Sequence, residues 1–147
     1  MNNNLHVFLK SRENQSRATD AGRRMHEQMR RIFINGDETR GDTEILRAVK
    51  SRPDLVPFFD ANSQCEVPIA GYIRGRFVSR RIDRLHINHD TKTIKILDYK
   101  SDTDKTAFYT NYVAQIREYQ ELMREIYPGY TVRGFILWLH DFSLQEI

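Results

Sequence analysis

The chain has 147 residues, 39% of them hydrophobic and 29% charged, which fits one compact soluble domain and excludes a disordered or collagen-like chain. Its 23 basic and 20 acidic residues leave a formal charge of +3, a mild lean toward polyanions that identifies no partner alone. The single cysteine, Cys65, excludes an intramolecular disulfide; with no basic-apolar-small leader at the start, a reducing, cytoplasmic setting is expected. The longest apolar run, Phe135 to Leu139, is too short to span a bilayer.

In chain order, Met1 to Asn4 are expected to be loose, and residues 1–16 to form an N-terminal extension, partly disordered, ahead of one domain over 17–147. Apolar residues Ala21, Met25, Met29, Ile32 and Phe33 predict an amphipathic helix from Arg17 to Asn35, capped by Thr19 or Asp20 and followed by Gly36. Ile45, Leu46 and Val49 predict a short helix from Asp42 to Ser51, stopped by Pro53 and Pro57. Cys65 to Ala70 and Tyr72 to Val78 read as strands around a turn at Gly71, with Pro68 placing the first at an edge or a bulge. Ile82 to Ile87 and Ile94 to Tyr99 then flank the polar stretch Asn88 to Thr93 as a hairpin. A long helix is predicted from Phe108 to Tyr127, ended by Pro128-Gly129, and a last strand from Val132 to Leu139. This order describes an α/β fold, a mixed sheet with helices packed against it. There is no G-x-x-x-x-G-K-[ST] loop, hence no P-loop motor in these residues.

The hairpin carries the chemistry. If Ile87 lies opposite Ile94, an antiparallel register pairs Leu85 with Ile96 and then Asp83 with Asp98. Opposed like charges destabilise a sheet, and a divalent cation reverses that penalty; hard Mg²⁺ takes carboxylate oxygens. Lys100 points to the same face, roughly 6–7 Å beyond Asp98, where its ammonium can meet a phosphate. The alternative is that both aspartates sit in solvent at a fraying hairpin end beside an ordinary surface lysine. Arginines cluster at Arg23, Arg24, Arg30 and Arg31, and at Arg74, Arg76, Arg80, Arg81 and Arg84. These runs make either a positive field for phosphates or a solvated helix face and sheet edge.

Ile82-Asp83-Arg84-Leu85, Ile96-Leu97-Asp98-Tyr99-Lys100-Ser101 and Gln115 with Tyr119 resemble, in that order, the RecB-like branch of the PD-(D/E)XK nucleases. Glu66-Val67-Pro68-Ile69, Tyr127-Pro128-Gly129 and Leu137-Trp138 extend the resemblance toward the C-terminal nuclease domain of AddA-type helicase-nucleases of double-strand-break repair, over roughly residues 17 to 147. The resemblance implies a restriction-endonuclease-like core and hydrolysis of DNA, with single-stranded DNA as the usual substrate and a helicase moiety and an AddB-like subunit as partners. It implies Mg²⁺, with Mn²⁺ as a substitute, held by His26, Asp83, Asp98 and the Tyr99 carbonyl, and Lys100 as the catalytic lysine. Glu66 joins the catalytic set as an alternate ligand or one acting behind the ligands, unless it is structural on its edge strand. Gln115 and Tyr119 match a Q-x-x-x-Y motif implicated in DNA contact, or they form a hydrogen bond and a packed aromatic at the edge of the core. On the approach to Asp83, where the family often has a small residue, this chain has Ser79-Arg80-Arg81, whose arginines bind phosphate or crowd the site; Arg81 and Arg84 are expected among the nucleic-acid-binding residues. His6, His86, His89 and His140 have no ligand spacing. The competing function is a catalytically silent module that docks nucleic acid or a partner subunit through its arginines.

Overall fold

A computed structural model describes residues 20–147. The loose start Met1–Asn4, the extension over residues 1–16 and Thr19 as a helix cap all fall outside them.

Helix α1 is described over residues 20–30, and it ends earlier than its apolar spacing suggests. Phe33–Asn35 is instead a strand, β1, paired antiparallel with β2 (Glu38–Arg40) across the loop Gly36-Asp37. Gly36 has φ +60°, which a tight two-residue hairpin loop demands of its first residue. Ile34 also donates its N–H to the Phe59 carbonyl at 2.9 Å, so this segment is drawn out of the helix by tertiary pairing. Helix α2 (Thr43–Lys50) follows, capped by the Asp42 carboxylate on the N–H groups of Glu44 and Ile45, and then a 3₁₀ turn at Val56–Phe58.

One five-stranded mixed sheet holds β3 (Ser63–Ile73), β4 (Arg76–Asn88), β5 (Thr93–Lys100), β6 (Thr131–Trp138) and β7 (Ser143–Glu146) in that spatial order. Neighbours are antiparallel except β5 and β6. Their parallel pairing needs a crossover, and α3 (Tyr109–Ile126) supplies it. β3 is an edge strand, which accommodates Pro68. It runs straight through Gly71, where a turn was expected; the turn lies at Arg74-Gly75, both with positive φ. A Cβ at Gly71 would come within 2.8 Å of a Leu122 methyl, so this glycine leaves room for the end of the Leu122 side chain of α3.

Helices cover both faces. Tyr119, Leu122 and Met123 of α3 pack on Leu85, Ile94, Ile96 and Val132, while Ile116 meets Ile136 and Trp138. On the other face Leu97, Tyr99, Phe135 and Leu137 meet Met29, Val49, Phe58 and Phe59. β5 and β6 are thereby buried on both sides, and residues Ile96 to Tyr99 and Gly134 to Trp138 are buried without alternation. β7 was not foreseen; it pairs with β6 beyond the last predicted strand.

Candidate metal and phosphate site

β4 loses contact with both neighbours at one residue. Cys65↔Arg84 and Val67↔Ile82 pair in β3 and β4, but Glu66 and Asp83 between them do not, and Glu66 has φ +54°. On the other side the β4–β5 ladder ends at Arg84↔Leu97, one step before Asp83 and Asp98. Ile82 and Leu85 enter the same apolar cluster although three residues apart, so the strand's alternation slips once between them. The expected pairs Ile87↔Ile94 and Leu85↔Ile96 are present. The expected pairing of Asp83 with Asp98 is replaced by a different contact: Asp83 Oδ2 accepts the Tyr99 N–H at 2.8 Å. The reason is the slip, which turns the Asp83 side chain into the gap where a ladder bond would run.

Asp98 is 4% exposed, and its Oδ2 is buried without a hydrogen bond. Lys100 Nζ lies 2.6 Å from that oxygen as an ion pair, in an orientation that makes no hydrogen bond. Burial first, and the neighbouring Asp98 charge second, push the Asp83 carboxyl up to about 7, against the opposing pull of the Tyr99 N–H and Lys100. Lys100 Nζ donates to Gln115 Oε1 at 3.0 Å and sits 4.2 Å above the Tyr112 ring. Gln115 Nε2 in turn donates to the Tyr119 hydroxyl at 2.6 Å, and that hydroxyl donates to the Arg81 carbonyl at 3.3 Å. Gln115 and Tyr119 therefore position the lysine from α3. Tyr112 was missed in the sequence, although it stands one helical turn before Gln115 on the same face.

His26 reaches the site from α1. A Cβ at Gly22 would lie 2.7 Å from Ser101 Oγ, so the helix rests directly on the chain leaving β5, and His26 follows four residues later on that face. Its ring meets Tyr99 edge-on at 5.6 Å. Burial lowers its pKa, opposed by the charge of Asp98 and helped by that of Lys100, which favours the neutral ring with a free lone pair. His26, Glu27, Glu66, Ser101 and Asp102 line a cleft of about 720 Å³. Glu66 is half-buried, 3.5 Å from Arg81 as an ion pair.

Arg84 does not bind phosphate from here. It is 4% exposed, and Nη2 donates to the carbonyls of Met29, Arg30 and Ile32 at 2.9, 3.0 and 2.9 Å, while Nε donates to the Tyr99 hydroxyl at 2.9 Å. It caps the C-terminal end of α1, where a cation meets the negative end of the helix dipole, and stacks over Phe59 at 4.7 Å. Arg81 stays exposed beside Glu66. Arg30 and Arg31 are tied to Glu27, and Arg76 and Arg80 to Glu118, which is the solvated-face arrangement.

Among the described residues, no group of three or more His, Cys, Asp or Glu side chains is arranged to hold a metal ion. The donors present nonetheless fit a hard dication that keeps much of its water: the buried Asp98 Oδ2 lacks a hydrogen bond, and Asp83 and Asp98 repel one another. Mg²⁺ commonly takes one or two carboxylates, with water and substrate oxygens completing its sphere.

No family model matches the chain, and no curated protein matches it. Among solved structures similar to it is one from Eubacterium rectale named "Putative exonuclease", with a TM-score of 0.50 and 18% identity, covering 79% of this chain and 49% of that one. The chain thus spans about half the length of that structure. The likeness is one of fold, a mixed α/β sheet flanked by helices, consistent with the expected restriction-endonuclease-like core. No helix among the described residues is long and apolar enough to cross a membrane.

Proposed function

We propose that the domain is a magnesium-dependent DNA nuclease that hydrolyses phosphodiester bonds, with single-stranded DNA as substrate, in a cytoplasmic AddA-type helicase-nuclease alongside an AddB-like subunit. The observation that carries this reading is the interruption of β4, which gathers Asp83, the unsatisfied Asp98 oxygen and Lys100 at one point. Asp83 and Asp98, the Tyr99 carbonyl and neutral His26 would hold the ion, with Mn²⁺ as a substitute. Bound Mg²⁺ would supply Lewis acidity to the scissile phosphate and lower the pKa of a water. Lys100 then turns from Asp98 to the phosphate oxygens, where its charge offsets the negative charge that builds up in the transition state. Gln115 and Tyr112 keep the ammonium from swinging into solvent. Glu66 lies in the adjacent cleft as an alternate ligand, and the exposed Arg81 is ion-paired with it.

Cleavage assays on linear, circular and single-stranded DNA, with and without Mg²⁺, test the reading. Activity that needs Mg²⁺ and disappears in Asp98→Ala supports it; undiminished activity in that variant excludes this site. The silent-module reading draws on the closed Lys100–Asp98 ion pair and on the lack, among the described residues, of a three-ligand group. It predicts salt-sensitive DNA affinity with no thermal response to Mg²⁺ or Mn²⁺.

A further inference from the structure

Among the described residues, the outer half of the β3–β4 hairpin has one face packed on α3 and one face bare. Val67, Ile69, Ile73, Val78 and Ile82 turn toward the α3 cluster. The intervening cross-strand pairs, Pro68↔Arg81, Ala70↔Ser79 and Tyr72↔Phe77, are exposed throughout. Tyr72 and Phe77 are 65% and 60% exposed, and their rings meet at 5.6 Å and 65° near the hairpin tip. Large aromatics so open to water are poor candidates for a purely structural role.

Charge says what covers them. Residues 67–82 contain Arg74, Arg76, Arg80 and Arg81 and no acidic residue. Arg74 and Arg76 stand at the tip turn next to the aromatic pair, Arg81 lies on the bare face beside Glu66, and Arg76 and Arg80 are ion-paired with Glu118 on the α3 side. From Phe77 this face passes Ser79 and Arg81 and reaches Asp83 after about 20 Å at the usual rise per residue. We infer that the Tyr72–Phe77 pair and its flanking arginines form a finger that stacks unpaired bases of single-stranded DNA and leads the strand along β4 toward Asp83. Aromatic rings give sequence-tolerant stacking because every base has a π-face, and arginines beside them hold the backbone. Duplex DNA, with its bases paired and stacked inside, offers the rings nothing equivalent. The inference rests on the nuclease reading for its substrate, but the finger binds without chemistry.

Anisotropy of a fluorescent oligothymidylate with the full chain in chelator tests the finger apart from catalysis. Tyr72→Ala/Phe77→Ala should weaken binding by about tenfold or more, with a much smaller effect on a duplex, and Tyr72→Trp should keep wild-type affinity. Arg74→Glu/Arg76→Glu should flatten the salt dependence. Unchanged oligothymidylate affinity in the aromatic variant, or equal losses on single strand and duplex, overturns the inference. So does a variant that only changes oligomeric state or thermal stability, since the face would then serve protein packing and not DNA. If the wild type binds through the finger yet never cuts DNA in Mg²⁺, the nuclease reading fails and the finger stands. If it cuts and the aromatic variant cuts with unchanged KM, the finger alone fails.

Discussion

Asp83 sits where its protonated form is preferred, because the strand slip buries it and Asp98 faces it across the gap. Its proton is therefore held more tightly in the folded than in the unfolded chain. The metal-free fold is favoured at pH values below the ordinary 3.8 of the carboxyl and loses that stability as pH rises toward about 7. Asp83→Asn, which cannot ionise, should match the wild type at pH 4 and exceed it by about 1–3 kcal/mol at pH 8 in chelator, as read from urea melts. Equal stabilities at both pH values would contradict the assigned environment. Arg84 makes the opposite case, a charge that the fold requires. Arg84→Ala leaves three carbonyls at the end of α1 and the Tyr99 hydroxyl without their donor, and should cost about 2–4 kcal/mol in the same melts. Arg84→Lys should recover little of this, because one ammonium cannot reproduce the spread of guanidinium donors.

α3 is the element that joins fold to site, since the helix that closes the parallel β5–β6 crossover also carries Tyr112, Gln115 and Tyr119 to Lys100. Its approach depends on glycines below it. A Cβ at Gly134 would collide with Ile116 and Gln120, whereas one at Gly71 would meet only the movable end of Leu122. Gly134→Ala should thus lower stability by about 1–3 kcal/mol and reduce cleavage, while Gly71→Ala should cost less than about 1 kcal/mol; equal effects in thermal melts would count against this packing. These glycines show why some elements were legible and others were not. The parity of Leu85, Ile87, Ile94 and Ile96 set the hairpin register because one face of each strand had to be buried. Gly71 imitates a turn, since a sequence does not tell whether a glycine is there for its φ or for its missing Cβ. Ile32, Phe33 and Ile34 suit a helix or a strand, and only pairing with Arg40, Thr39 and Phe59 across the chain decides.

Across the whole molecule, the carboxylates and the lysine could be read from adjacent strands, while their supports come from helices distant in sequence. Tyr112 lies on a helix face that also serves the core, and Arg84 is buried, where an arginine is seldom expected. The net charge of +3 is spread over a surface on which many arginines are paired, so affinity for DNA should depend on particular places rather than on total charge. If Asp83 and Asp98 hold a cation, protons compete for Asp83, and Mg²⁺ should raise the thermal midpoint more at pH 8 than at pH 5. A shift of equal size at both pH values would place the ion elsewhere. The most direct measurement is single-turnover cleavage of single-stranded DNA in Mg²⁺ by the full chain and by Lys100→Ala, with folding verified by melting. A Mg²⁺-dependent rate that falls by about 10²–10³-fold is expected in a variant that still melts cooperatively, at a lower midpoint because Asp98 loses its buried ion partner. Equal rates for the two proteins would contradict the proposed site.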